Sequence, residues 1–483
     1  MTVQAIWLAM QGHPASLISP PNPDIRYRWA IRLLVPLFLT SGATSLVYET
    51  LWERQLHLVV GTSQVAVIVV LTAFMAGLAI GGFVAAKVAH RVRNPLLIYA
   101  LLEGLIGLYA LCFPFILEAI QPIYIAFWTQ FEPGPIGFAV FQFLLTGVFV
   151  LPPTICMGAT LPILSRFATR TLEGSGAQVG RLYGANTIGA VCGVTAAGFY
   201  LLPEFGLKAT TEVTAGANLA LCVAAGAMGL YAGGRPSTQE AAPVVREAPA
   251  NQWLKSLYWV AALGGFSSLV MEVAWFRLLS LIFGASAYAF SLMLLAFLIG
   301  IGTGGWFGGR LADRAWDKEG RGSIISLAGK VQLGIGAVVY ASMYFYMALP
   351  GSFVLVYQWV NGAENYNLLW AANLGLALFL MLPPAFLMGV MFPLLVKGAA
   401  DGSSEIGGAV GRVYGWNTVG AILGASIGGI LLLPSIHVRG AVLVAITINI
   451  IAAMIAFRSR NAQLPEAQRD PVRTRTQSYR LGG

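Results

Sequence analysis

Residues 41–61 read SGATSLVYETLWERQLHLVVG, and residues 264–284 read GGFSSLVMEVAWFRLLSLIFG. Glu49 falls on Glu272, Trp52 on Trp275, Arg54 on Arg277 and Gly61 on Gly284, at an offset of 223 residues. The match runs on through FMAGLAIGG (74–82) against FLIGIGTGG (297–305), as far as Arg91 and Arg314. Further along, PPTICMGATLPIL (152–164) matches PPAFLMGVMFPLL (383–395), and VGRLYGANTIGA (179–190) matches VGRVYGWNTVGA (410–421), now at an offset of 231 residues (Arg181 to Arg412). The chain is therefore one unit written twice, with eight extra residues in the middle of the second copy, mostly around Asp317–Gly322. Repetition at this scale governs how the fold is read.

The composition identifies the solvent. Of 483 residues 57% are hydrophobic and only 10% are charged, against about 25% charged in soluble domains. The apolar runs are continuous for about 20 residues, the length of a helix crossing a bilayer, and lack the every-second-residue alternation of barrel strands. About twelve spans are expected: 31–59, 64–89, 96–120, 138–165, 178–203 and 208–231, then 256–282, 286–311, 324–349, 368–396, 409–434 and 437–457. The fold class is thus an all-α polytopic membrane protein. Its parts are an N-terminal tail (1–30), a six-helix repeat (31–231), a polar linker (232–255), a second six-helix repeat (256–457) and a tail (458–483). A short interfacial helix is expected at Ala5–Met10, and the first 28 residues lack a signal-peptide pattern. Six helices is an even number, so both copies enter the membrane from the same side. That predicts a pseudo-two-fold axis along the membrane normal, the parallel-repeat arrangement of major facilitator halves.

The net charge of +9 comes from Lys and Arg at the ends of apolar runs and in short loops, not from one basic face, which argues against a nucleic-acid partner. The loops near 90–95, 166–181, 232–255, 310–322 and 397–412 are basic, while those near 121–137 and 350–366 are not; Lys208 and Arg439 are exceptions. The positive-inside rule then places both termini in the cytoplasm. Cys112, Cys156, Cys192 and Cys222 lie within apolar runs without CxxC spacing, and His13, His57, His90 and His437 are scattered. Neither set forms a metal site or a disulfide framework, and no cofactor is expected. No nucleophile–base constellation points to an enzyme.

Four repeated features are candidates for function. Glycines four apart (Gly77/Gly81, Gly300/Gly304/Gly308, Gly180/Gly184 and Gly411/Gly415) place small residues on one helix face, for tight packing or for sliding surfaces. Pro152–Pro153 and Pro383–Pro384 lie inside apolar spans and are candidate helix breaks at matching places in the two copies. Glu49 and Glu272 lie 17 residues beyond Arg32 and Lys255, so about 25 Å deep at 1.5 Å per residue. A charge there needs a partner or a wet cavity. Arg54 and Arg277 follow five residues later, about 140° round the helix, which points to a crossed pairing of Glu49 with Arg277 and Glu272 with Arg54. The alternatives are a structural latch and a gate or cation site. Tyr183, Asn186, Tyr414 and Asn417 form a second symmetric polar set, and Glu103, which stands where the second copy has Gln332, is a candidate protonatable group.

The segment GGRLADR (308–314) resembles the loop signature between the second and third helices of major facilitator transporters; AAKVAHR (85–91) is its counterpart without the acid. The SGxxSLVYExxWxR block, FMAGLAIGG and VGRLYGANTIGA…GFYLLPEFGL together resemble the membrane domain of spermidine-synthase-like membrane proteins, also described as major facilitator–spermidine synthase fusions. This resemblance covers roughly 35–230 and 258–457. It implies a bacterial inner-membrane protein. The aminopropyltransferase domain of that family would bring a soluble Gly-rich loop with acidic residues. Here the Gly-rich stretches lie within spans, and the linker and tail are too short for such a domain, so polyamine synthesis is not expected. Two functions remain: a transporter, in contact with membrane lipid, for a small cationic or amphipathic solute; or a non-transporting scaffold, held to partner subunits in a larger inner-membrane complex.

Overall fold

A computed structural model describes residues 23–60, 64–132, 134–169, 172, 174–232, 251–284, 287–362, 364–402 and 405–463. The segment Ala5–Met10, most of the linker and most of both tails lie outside the described residues. The first half contains α1 (Pro23–Val60), α2 (Gln64–Val88), α3 (Pro95–Phe131), α4 (Pro135–Ala168), α5 (Ser175–Ala196) and α6 (Leu202–Ala232). The second contains α7 (Asn251–Phe283), α8 (Ala287–Glu319), α9 (Arg321–Tyr346), the short α10 (Leu349–Trp359), α11 (Tyr366–Ala399), α12 (Ile406–Ile427) and α13 (Leu433–Gln463). The chain is a multi-pass membrane protein.

Among the described residues there are 10 continuous helical stretches apolar enough to cross a membrane, and two of them run for 58 and 55 residues (Ser175–Ala232 and Ile406–Arg460). At 1.5 Å per residue each is over 80 Å long, more than twice the ~30 Å hydrocarbon core. Each folds back on itself, giving twelve crossings. The reversal is built identically in both copies. A π-helical turn (Ala197–Leu201, Gly428–Leu432) is followed by one residue with positive φ, Gly206 (φ 70°, ψ −175°) or His437 (φ 58°, ψ −179°). Thr210 Oγ1 donates to the carbonyls of Leu201 (3.0 Å) and Gly206 (2.6 Å), taking up oxygens that the corner frees.

The helices that carry the paired prolines do not break. Both α4 and α11 run continuously through Pro152–Pro153 and Pro383–Pro384, so the expected discontinuities at those prolines are corrected to the corners at 197–206 and 428–437. One reason is local. Pro153 cannot bond the carbonyl of Phe149, and the Tyr109 hydroxyl donates to that carbonyl instead, at 2.7 Å. The segment near 310–322 is likewise helical as far as Glu319, because RLADRAWDKE contains no breaker before Gly320.

Glycines set the helix spacing. A Cβ on Gly189 would stand 1.8 Å from the Leu39 carbonyl oxygen, and one on its twin Gly420 would stand 1.8 Å from that of Ala262. Within each half, α5 against α1 and α12 against α7 therefore meet backbone to backbone. The same device joins the halves along two seams. On one, α5 lies on α8, where a Cβ at Gly180 would come 2.6 Å from Gly305 O; on the other, α12 lies on α2, where a Cβ at Gly411 would come 2.3 Å from Gly82 O. Small residues permit this approach, and dispersion and backbone packing then hold helices that lipid gives no hydrophobic reason to associate.

Candidate functional site

Between the seams, α1 and α7 bring Glu49 and Glu272 toward the contact of the two halves. Both are half-buried, and Glu272 lies within electrostatic range of Glu49. Glu53, one turn along α1, also lies within electrostatic range of Glu49. From α12, Tyr414 comes within range of Glu49 and of Tyr183 on α5. Each tyrosine crosses to the opposite half. The Tyr183 ring stacks on Phe392 of α11 (centroids 4.4 Å apart) and lies over Gly305, and Tyr414 lies over Gly82. Glu49, Glu272 and Tyr414 are thus brought together, with Tyr183 reaching the group through Tyr414.

The crossed ion pairs do not form. Among the described residues, neither Glu49 nor Glu272 is paired with an arginine or lysine; Arg54 is half-buried and Arg277 is exposed. The cause is the helical angle itself. With both acids turned toward the axis, five residues of helix turn both arginines away from it, so neither arginine reaches across to its twin's acid.

Asn186 and Asn417 differ despite their equivalence. The Asn186 side chain donates to Phe38 O (3.3 Å), whereas Asn417 lines a cavity formed mostly by the second half, with Tyr183 of the first half in its wall. Glu103 is fully buried and sealed. It accepts from Ser41 Oγ (2.5 Å) and from Asn218 Nδ2 (2.6 Å), with the Tyr99 phenol beside it. It is a network inside the first half, separate from the Glu49–Glu272 cluster.

A further polar site lies at the end of the bundle where the linker joins the halves. The Lys397 ammonium, at the end of α11, is 2.9 Å from Asp313 of α8. It also donates to the Leu172 carbonyl and to Ser175 Oγ (3.2 Å), at the start of α5 in the other half. Asp313 in turn accepts the N–H groups of Gly176 (3.0 Å) and Ala177 (2.8 Å), orphan donors at the N-terminus of α5. Trp316 places its ring 5.3 Å from the ammonium. The acid of GGRLADR thus clasps the two halves together. Sequence reasoning counted Lys397 only among the loop charges; the signal that could have marked it is the basic residue at the same place in the first copy, Arg166.

Comparisons with known proteins agree with this architecture. The fold is similar to a bacterial homologue of the iron transporter ferroportin in its outward-facing state (TM-score 0.58, 10% identity, 89% of this chain and 99% of that one). It is also similar to the E. coli fucose:proton symporter FucP (TM-score 0.52, 14% identity, 91% and 99%) and to the proton:xylose symporter XylE of the major facilitator superfamily (TM-score 0.51, 13% identity, 92% and 97%). The chain therefore has a major-facilitator-like fold. In sequence it is similar to polyamine aminopropyltransferase 1 of Streptomyces coelicolor, 28% identical over 197 residues, which is 40% of this chain and 33% of that protein. The match spans about a third of the length of that curated relative. No protein-family model matches the chain.

Proposed function

We propose that the protein is a secondary transporter for a small cationic or amphipathic solute, with Glu49 and Glu272 as the site that takes the cation. One observation carries this reading. Two half-buried acids stand at equivalent positions on α1 and α7, with Glu272 within electrostatic range of Glu49, and among the described residues neither is paired with a lysine or arginine. Like charges held together away from bulk water need a counter-charge, and a proton or a cationic solute supplies one that can leave. Tyr183 and Tyr414 add hydrogen-bonding capacity beside the acids, and their apolar rings suit an amphipathic body. The fold favours transport, since parallel repeats joined by seams can rock about a shared centre. The spermidine-synthase-like motifs and the aminopropyltransferase relative make a polyamine the first cation to test.

In a bacterial inner membrane with both termini cytoplasmic, the Asp313–Lys397 clasp closes the cytoplasmic end. Residues 31–231 and 256–457 are then the two rocking bodies, and the glycine seams are their bearing surfaces.

The test is counterflow in proteoliposomes loaded with spermidine, putrescine or a monovalent amine. Uptake of a labelled cation that falls at least about tenfold in Glu49→Gln and in Glu272→Gln supports the proposal; tenfold corresponds to 1.4 kcal/mol, of the order of one charged hydrogen bond. Uptake indifferent to both substitutions overturns the assignment of the site, and no uptake of any cation across the panel overturns transport itself.

A further inference from the structure

The two repeats differ at one buried position in a way the glutamate pair does not use. Where the first copy has Ser41 and Glu103, the second has Gly264 and Gln332. In the first copy the serine hydroxyl bonds the carboxylate and the site is filled. In the second, a Cβ on Gly264 would stand 3.1 Å from Gln332 Nε2, so the backbone of α7 passes directly beside the amide with no hydroxyl to offer. Gln332 is fully buried, and neither its oxygen nor its nitrogen has a hydrogen-bond partner in the protein. Asn449, twin of the Asn218 that bonds Glu103, is turned to Ser267 Oγ instead (2.6 Å).

A buried amide left with neither donor nor acceptor satisfied is costly, and native proteins rarely keep one without a purpose. Here the amide lines a cavity of about 90 Å³ between α7, α8, α9, α11 and α12 of the second half and α5 of the first. Ser268, Asn417 and Tyr183 supply further polar groups, Phe297 and Met391 supply apolar wall, and no charged residue lines it. The cavity is smaller than the ~150 Å³ that accepts benzene, yet has room for several heavy atoms. An uncharged wall rejects ions, and an amide offering one donor and one acceptor face matches a group that both gives and takes a hydrogen bond.

We propose that this cavity binds a small uncharged molecule bearing such a group, a primary amide or an alcohol on a short apolar stem. The site stands on its own geometry and does not depend on the transport reading. It adjoins that site all the same: Tyr183 stands in the wall of this cavity as well, and Ser268 is one helical turn before Glu272 on the same face of α7.

The experiment is saturation-transfer NMR on the full-length protein in detergent, with propionamide as the neutral probe and propylammonium as a charged probe of similar size. Propionamide is expected to bind, with Kd raised about tenfold in Gly264→Ser, which restores the hydroxyl found in the first copy, and in Gln332→Leu; one lost hydrogen bond sets that scale. Propylammonium binding should be unchanged by Gly264→Ser, which separates this cavity from the glutamate pair. Propionamide binding that is absent, or unaltered in Gly264→Ser, overturns the proposal, as does a density map with propionamide present in which ordered water alone meets Gln332. If Gln332→Leu does not fold, Gly264→Ser alone decides, because the first copy carries serine at that place.

Discussion

Asp313 and Lys397, 2.9 Å apart on two helices of the second half, are both committed to the first half as well: the lysine to Leu172 and Ser175, the aspartate to the first N–H groups of α5. The lysine side chain is 1% exposed and the aspartate 17%, so this is a buried pair with its remaining donors and acceptors satisfied. Removing one partner of such a pair costs about 3–5 kcal/mol, because the other charge is left uncompensated. Asp313→Ala should lower the thermal midpoint in detergent clearly and expose a cysteine placed at position 177 to water-soluble thiol reagents. Asp313→Ala with Lys397→Met should recover most of the lost stability, while the cysteine stays reactive. A single substitution that leaves both midpoint and reactivity unchanged would show that the clasp does not hold the halves.

Sealing of Glu103 predicts a different hierarchy. Glu103→Leu strands the Asn218 amide and the Ser41 hydroxyl, each worth about 1–3 kcal/mol when left unsatisfied. Glu103→Gln keeps one acceptor and one donor and should cost less. Thermal unfolding of both variants checks the order, and a leucine variant as stable as the glutamine variant would contradict it.

The glycine contacts make a paired prediction. Gly189→Ala forces a methyl to 1.8 Å from the Leu39 carbonyl oxygen and should destabilise by about 1–3 kcal/mol or more as α1 and α5 are pushed apart. Gly216→Ala, in α6 with no atom within 4 Å of the new methyl, should stabilise by about 0.5–1 kcal/mol through helix propensity alone. Equal effects at the two sites would mean that propensity, not close approach, governs both.

At the fold-back corner, His437 holds the backbone conformation that Gly206 holds in the first copy, φ 58° and ψ −179°. That region is nearly glycine-only and costs a side-chain-bearing residue about 1–3 kcal/mol. His437→Gly should raise the thermal midpoint and Gly206→His should lower it. A His437→Gly protein less stable than the parent would show that the imidazole makes a contact that outweighs the strain.

Much of this molecule was legible before any coordinates. The duplicated SLVYExxW and SLVMExxW blocks and the even helix number per copy specified parallel halves, and the major-facilitator-like fold agrees. The positions that resisted reading share one property: their outcome depends on what a second helix offers. Pro153 has the sequence signature of a break, but the Tyr109 hydroxyl of α3 donates to the carbonyl it frees. Arg54 and Arg277 do not become crossed partners because the 140° that separates each from its own acid also turns it from the axis where its twin's acid lies. Lys397 looked like a loop charge until the start of α5 was seen to cover it. The Glu103–Gln332 difference was visible in the sequence; that Gly264 replaces Ser41 beside it acquires meaning only once α7 and α9 are seen side by side.

The loss of that one hydroxymethyl group also bears on how the two copies have diverged. An ancestral unit joined to itself would have carried two identical interiors. Here one has been closed with a carboxylate network and the other left hollow around an amide. The twins have thereby parted ways: at this one position the N-terminal member is filled by its own side chains, and the C-terminal member leaves space beside its amide.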